Sequence, residues 1–137
     1  MQDEQFTIPY GSNTYCGPAA LAYVTRTDPD TAARHLRRVG NKRAIFGVSN
    51  TLLLKTLCAL GVRYSSFIEG KKPPTLGRWL TRHAEGEYIV NITGHYIVVV
   101  IDDISCLVFD NRYHLGKSVY ACPYLRRKVR AAWRIER

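Results

Sequence analysis

The feature that most constrains this chain is a cysteine standing directly before a run of small, helix-forming residues. Pro18 occupies a position typical of a first helical turn, and good helix formers follow it as far as Val24, so Cys16 is predicted at a helix N-terminus. The unpaired N–H groups and the positive dipole end of a helix favour thiolate over thiol. A nucleophilic cysteine is therefore a candidate function, and it requires a fold that brings a base to the start of this helix.

A histidine and an aspartate later in the chain supply the other groups of such a site. His95 opens an apolar run of strand length, and Asp110 ends the next predicted strand. Cysteine, then histidine, then an acid or amide is the chain order of a papain-like site. We predict Cys16 as the nucleophile, His95 as the base and Asp110 as the group that orients the imidazole. Asn111 is the alternative orienter, since an amide serves in papain.

Several motifs taken together resemble a known family. At Cys16–Leu21, His95–Val99 and Asp110, the chain resembles papain-like cysteine peptidases of the double-glycine leader peptidase type. Those domains cut leader peptides at the front of bacteriocin-exporting ABC transporters. Small papain-like proteins encoded by bacteriophages are similar also at Thr75–Leu80 and Glu87–Val90. The resemblance covers roughly residues 10 to 112. It implies a thiol peptidase acting on a protein or peptide substrate without a cofactor, and a phage origin for the chain.

The resemblance also implies an oxyanion hole built partly from residues ahead of Cys16. Such peptidases usually carry a glutamine about six residues before the cysteine, whose amide completes the hole, and this sequence has Tyr10 there. The candidate donors are therefore the Asn13 amide, the Tyr10 hydroxyl, or the Cys16 backbone N–H with little help. Loss of one oxyanion donor lowers rates about a hundredfold to a thousandfold. A catalytically weak papain-like scaffold is thus an alternative function.

Helical patterns fill the first part of the chain and strand patterns the second. After the cysteine helix, further helices are predicted from Asp28 to Gly40, from Ser49 to Gly61 and from Thr75. Strands are predicted over Val62–Ile68, Tyr88–Ile92, His95–Val100, Cys106–Asp110, Lys117–Tyr120 and Val129–Ile135. The order predicts an α+β fold with a papain-like core. N-terminal helices carrying the cysteine would pack on a C-terminal antiparallel sheet carrying the histidine and aspartate.

The length of 137 residues predicts one domain over residues 1–137, with an N-terminal arm at 1–15 and a basic C-terminal segment at 117–137. No apolar run approaches the roughly 18 residues of a membrane span. The four cysteines form no CxxC pair and have no histidine at zinc-ligand spacing, so no metal is expected. Cys58 and Cys106 lie in apolar periodic segments, which predicts reduced, buried thiols. We expect a reducing compartment, the cytoplasm, or host cytoplasm or virion for a phage protein.

The net charge of +9 concerns partners and not fold. Basic residues concentrate in two blocks, Arg26–Arg43 and Lys117–Arg137, with Tyr124 and Trp133 in the second. Such clusters can follow a phosphate backbone, and an acidic protein would use the same charges. One alternative is therefore a binding module for nucleic acid or an acidic protein, with a slow or idle triad. Another is a deamidase, transglutaminase-like or deubiquitinating enzyme, because acyl-enzyme formation is shared.

Overall fold

A computed structural model describes residues 15–45 and 47–137, so the predicted arm and the oxyanion candidates Tyr10 and Asn13 lie outside the described residues. The helices are α1 (Cys16–Thr25), α2 (Pro29–Gly40), α3 (Asn50–Ala59) and α4 (Leu76–Leu80). The strands are β1 (Arg63–Ile68), β2 (Gly86–Asn91), β3 (Tyr96–Ile101), β4 (Cys106–Phe109), β5 (Lys117–Ser118) and β6 (Ala131–Glu136). The predicted order of the elements, in which β1 precedes the last helix, and the α+β class are confirmed.

All strands join one antiparallel sheet whose order is β1-β6-β2-β3-β4-β5. The last strand is internal: Trp133 on β6 lies opposite Ser66 of β1 and opposite Ile89 of β2. β3 and β4 form a hairpin in which Val98 faces Phe109. Because these two strands are antiparallel, the start of β3 and the end of β4 lie at the same edge of the sheet.

Side chains at the helix starts account for the helix boundaries. Asp28 accepts a hydrogen bond from the Thr31 N–H at 2.8 Å, and Ser49 accepts one from the Leu52 N–H at 3.1 Å. Thr75 caps α4 in the same way. The end of α2 differs from the prediction, because Asn41, with φ of 53°, takes the left-handed capping conformation expected at Gly40. Asparagine tolerates that conformation better than most residues.

The sheet has a hydrophobic core on each face. Helices α1, α2 and α3 cover one face, where the buried residues include Leu21, Leu36, Leu53, Val98 and Trp133. Helix α4 and the segment before β6 cover the other, where they include Trp79, Tyr88, Ile97, Val108 and Tyr124. Successive residues of β3 thus point into different cores, as a strand requires. In the described part of the chain, no helix is both long enough and apolar enough to cross a membrane.

The predicted burial of Cys58 is wrong, because its side chain is exposed on α3. Leu53 and Leu57 point into the core, and the residue after Leu57 lies about 100° further round the helix. Cys106 is partly buried, and Cys16 and Cys122 are buried. All four are free thiols.

The strand predicted over Lys117–Tyr120 is shorter than expected. Only Lys117 and Ser118 pair with β4, and a 3₁₀ turn follows at Val119–Ala121. The Ser118 hydroxyl accepts a hydrogen bond from the Tyr120 N–H, which favours the turn over continued pairing. This turn starts the irregular segment that leads to β6.

Core packing by α3 predicts a large loss of stability in Leu53→Ala. The side chain is 0 % exposed, so its truncation should lower the free energy of unfolding by about 2–5 kcal/mol. The same change at Leu115, which is 86 % exposed, should lower it by less than about 0.5 kcal/mol. Urea unfolding followed by fluorescence of the two buried tryptophans measures both values. Equal losses in the two variants would contradict this core.

Candidate active site

His95 and Asp110 meet at the edge where β3 begins and β4 ends. His95 directly precedes β3, and Asp110 directly follows β4. The His95 Nε2 atom lies 2.9 Å from the Asp110 Oδ2 atom. The two side chains are 11 % and 0 % exposed, so the contact is shielded from water. The alternative orienter Asn111 is the next residue and is also buried.

The Asp110 carboxylate accepts four hydrogen bonds. Besides the one from His95, Oδ2 accepts one from the Tyr124 hydroxyl at 2.6 Å, and Oδ1 accepts the N–H groups of Arg112 and Tyr113, both at 2.8 Å. Burial alone would raise the pKa of Asp110, but these hydrogen bonds outweigh burial and lower it. The group is therefore an anion at neutral pH, and its position is held from both oxygens.

Tyr124 is a residue of the site that the sequence analysis considered only as part of a basic surface. It is 2 % exposed, and its ring lies 5.5 Å from the His95 ring, centroid to centroid. Burial, and then the hydrogen bond to Asp110, raise its pKa, so it remains a hydroxyl donor. No periodicity marks it, because it lies in the irregular segment between the 3₁₀ turn and β6.

Cys16 is the first residue of α1, as predicted, and its side chain is buried at 5 % exposure. The residue before it, Tyr15, donates its hydroxyl to Asp30 of α2 at 2.7 Å, which holds the helix start in place. At Gly17, an added Cβ atom would come within 2.5 Å of the Val48 side chain. Glycine thus lets the segment before α3 pack directly against the cysteine turn.

The Cys16 side chain lies close enough to the His95 imidazole to affect its pKa. Because Asp110 holds Nε2, the nitrogen left for the thiol is Nδ1. Burial alone would lower the pKa of His95, but hydrogen bonds to Asp110 and Cys16, and the negative charge of each, raise it to about 9. The structure therefore brings Cys16, His95 and Asp110 together, and it stabilises the protonated imidazole beside the Asp110 carboxylate.

A second hydrogen-bond network supports the turn that carries His95. The Asn50 Oδ1 atom, at the start of α3, accepts from the Tyr96 hydroxyl at 2.6 Å and from the Asn91 amide at 3.0 Å. Asn91 in turn accepts the Gly94 N–H at 2.9 Å. Burial, and then the charge of Cys16, raise the pKa of Tyr96. This network connects the start of α3 to Gly94 and Tyr96, the two neighbours of His95. No sequence motif predicted it.

Other expectations concern metals and the basic surface. Among the described residues, no three His, Cys, Asp or Glu side chains are grouped so that they could hold a metal ion. In the same residues, the ion pairs formed by arginines join Arg26 and Arg137 to Glu87. Nothing in the structure tests binding of nucleic acid or of an acidic protein by the remaining basic residues, which stays a prediction.

Comparison with known proteins gives a likeness of fold. No protein-family model matches the chain, and no curated protein matches it. A double-glycine motif protease from an AMS/PCAT transporter, solved with its leader peptide, superposes with a TM-score of 0.59 at 13 % identity over 93 % of this chain and 88 % of that one. The peptidase domain of Streptococcus ComA, a bifunctional ABC transporter of a quorum-sensing pathway, gives 0.56 at 16 % identity over 93 % and 95 %. The predicted papain-like fold is confirmed.

The raised pKa of His95 predicts a pH-dependent contribution to stability. Its pKa is about 9 in the folded protein and about 6.5 when unfolded. The stabilisation is therefore fully present below about pH 6.5 and is lost as the pH rises through about 9. His95→Gln lacks it at every pH. The difference in Tm between wild type and this variant should shrink from about pH 6 to about pH 9.5.

A matched histidine outside the site should show the opposite trend. His83 stacks on Trp79, and burial lowers its pKa. The folded protein therefore favours neutral His83, and the Tm difference between wild type and His83→Gln should grow as the pH rises through about 6.5. Thermal unfolding of the three proteins across this range makes the test. A difference for His95→Gln that is constant with pH would contradict the ion-pair description.

The hydroxyl of Tyr124 predicts a measurable effect on Asp110. Tyr124→Phe removes one of four donors to a buried carboxylate, so the pKa of Asp110 should rise and the free energy of unfolding should fall by about 1.5–3 kcal/mol. Carboxyl ¹³C NMR and urea unfolding measure the two quantities. Tyr120→Phe, at a tyrosine that is 77 % exposed, is the control and should change neither. An unmoved Asp110 titration in Tyr124→Phe would show that the bond does not act on the carboxylate.

Proposed function

We propose that the protein is a cysteine peptidase in which Cys16 attacks the scissile carbonyl, His95 transfers protons and Asp110 orients the imidazole. The observation that carries this proposal is the contact chain at the sheet edge. A cysteine at a helix start lies beside an imidazole whose Nε2 atom is held by a buried carboxylate. Nucleophile, base and orienter in such contact are the recognised pattern of an activated thiol. The fold likeness to cysteine peptidase domains supports the same reaction.

The reaction follows from these roles. Before the attack, His95 Nδ1 already holds the proton that Cys16 gives up, and the thiolate sulfur adds to the carbonyl carbon of a peptide bond. The tetrahedral intermediate collapses as Nδ1–H protonates the leaving amine, which leaves a thioester on Cys16. Water then attacks the thioester with its proton passing to His95, and the carboxylic acid product departs as the thiol re-forms. Asp110, bonded to Nε2, keeps the ring in the orientation that each transfer requires.

The negative charge on the oxygen of the tetrahedral intermediate requires hydrogen-bond donors. The Cys16 backbone N–H lies at the start of α1, where helix N–H groups have no partner within the helix. We propose it as one donor, because helix starts stabilise anions. We retain the Asn13 amide and the Tyr10 hydroxyl as candidates for the second, and both precede α1 in the chain.

We propose a peptide as the substrate. The transporter protease with the similar fold was solved with a leader peptide, and we extend that substrate class to this chain. A deamidase or transglutaminase-like enzyme would form the same thioester and differ only in the groups that leave and accept. In the proposed peptidase reaction the leaving group is a peptide amine and the acceptor is water.

Alkylation by limiting iodoacetamide tests the activated thiol. Exposure alone predicts that Cys58, which is exposed, reacts before Cys16, which is buried. Activation by His95 predicts the reverse order, because the thiolate is the reacting species. We expect a first adduct on Cys16, located by peptide mass spectrometry, and a rate that falls at least about tenfold in His95→Ala.

The exposed thiol of Cys58 provides an internal control for this experiment. Cys16→Ala should leave only slow labelling of Cys58, and Asp110→Asn should slow the Cys16 reaction without changing that at Cys58. Cleavage of a random peptide library by wild type, with Cys16→Ala as the blank, then tests hydrolysis itself. Labelling that begins on Cys58, or a Cys16 rate independent of His95, would overturn the proposal.

A further inference from the structure

A cavity of about 260 Å³ adjoins the imidazole of His95. It is lined by Thr93, Gly94, His95, Arg112, Tyr124 and Arg127. A water molecule occupies about 30 Å³ in the liquid, so the cavity has room for a side chain or a chain end. No group of the proposed reaction fills it.

Two arginines from separate segments line this cavity. Arg112 follows β4, and Arg127 lies before β6. Within the described ranges neither forms an ion pair, and the Asp110 carboxylate already accepts four hydrogen bonds, none of them from a guanidinium group. Arg127 donates one Nη2 bond to the Ile92 carbonyl at 3.1 Å. That bond holds the guanidinium at the wall, and its other N–H groups can serve a ligand.

The rim of the cavity is held in place and open. Thr93, with φ of 58°, and Gly94, with φ of 84°, both have left-handed backbone conformations. The Thr93 hydroxyl donates to the Lys128 carbonyl at 3.1 Å, which ties this turn to the segment carrying Arg127. A Cβ atom added at Gly94 would meet nothing within 4 Å. A chain can therefore approach the cavity over Gly94.

We infer that this cavity binds a carboxylate of the peptide substrate, close to the bond that is cut. The inference rests on the proposed peptidase function, since it makes the cavity a specificity subsite of that reaction. A guanidinium group recognises a planar carboxylate through two parallel N–H bonds, and two arginines line this cavity. The carboxylate is either the side chain of an aspartate or glutamate, or the end of a short peptide. The substrate class is thus a peptide that presents a carboxylate to this cavity.

Titration with three small probes, followed by ¹H–¹⁵N NMR of the Thr93, Gly94 and Arg112 amides, tests the cavity without requiring catalysis. N-acetylglutamate α-amide carries only a side-chain carboxylate, N-acetylglutamine carries only a chain-end carboxylate, and N-acetylglutamine amide carries neither. We expect at least one charged probe to shift these amides at concentrations where the neutral one does not. The stronger charged probe identifies the source of the carboxylate.

Arginine variants attribute the binding to the two guanidinium groups. Arg112→Gln/Arg127→Gln should weaken binding of the charged probe at least about threefold. Arg34→Gln/Arg38→Gln removes the same number of charges from exposed positions of α2 and should leave binding unchanged. Arg112→Lys/Arg127→Lys keeps the charge but lacks the parallel N–H bonds, so it should bind the charged probe more weakly than wild type and more tightly than Arg112→Gln/Arg127→Gln, which separates lost charge from lost folding.

Several results would overturn the inference. Equal shifts by the neutral probe, no shifts by any probe, or undiminished binding in Arg112→Gln/Arg127→Gln would each do so. Preferential binding of inorganic phosphate would also do so, because the cavity would then recognise a phosphate and not a peptide carboxylate. Failure of the peptidase proposal is a separate result, since it is measured by the alkylation of Cys16.

Discussion

A buried carboxylate is stable only where donors surround it, and the arrangement of the sheet edge depends on meeting that need at Asp110. Its four donors come from three places: the residue before β3, the turn after β4, and the irregular segment before β6. Each of these segments is therefore held against the others by one anion. The His95 imidazole benefits in turn, because the carboxylate both orients its ring and stabilises its charged form. Without the other three donors, the cost of burying the charge would fall on the histidine contact alone.

The thiol reaches the same edge through different packing. Helix α1 lies against β3 on the face opposite α4, and Tyr23 stacks on Phe109 with ring centroids 4.3 Å apart. Phe109 and Asp110 are adjacent residues, so one end of β4 anchors the helix on one face and the carboxylate on the other. The relative position of Cys16 and His95 is thus set by two apolar cores and a strand between them. Rigid elements of this kind give a site better-defined geometry than loops do.

Much of this arrangement could be predicted, because the residues concerned stand at element boundaries that local rules identify. Pro18 marks the start of α1, only a short turn separates the predicted strands His95–Val100 and Cys106–Asp110, and antiparallel pairing then brings His95 near Asp110. Tyr124, Asn50 and Asn91 could not be found in this way, since their contacts depend on where distant segments cross. The burial predicted for Cys58 was wrong for another reason. The apolar repeat of α3 gives the period of the helix, but a side chain one residue after a buried position can already be exposed.

The placement of β6 explains why the C-terminal segment contributes to the site. A last strand that enters the sheet between β1 and β2 forces the chain before it to pass the edge where β2 ends and β3 begins. Two hydrogen bonds join the segments where they cross. The Arg130 N–H donates to the Asn91 carbonyl, and the Thr93 hydroxyl donates to the Lys128 carbonyl. Tyr124 and Arg127 lie on the crossing segment, so one topological feature places both a donor to Asp110 and a cation beside His95. Arg127, a basic residue of the C-terminal segment 117–137, thus lines the same cavity as His95.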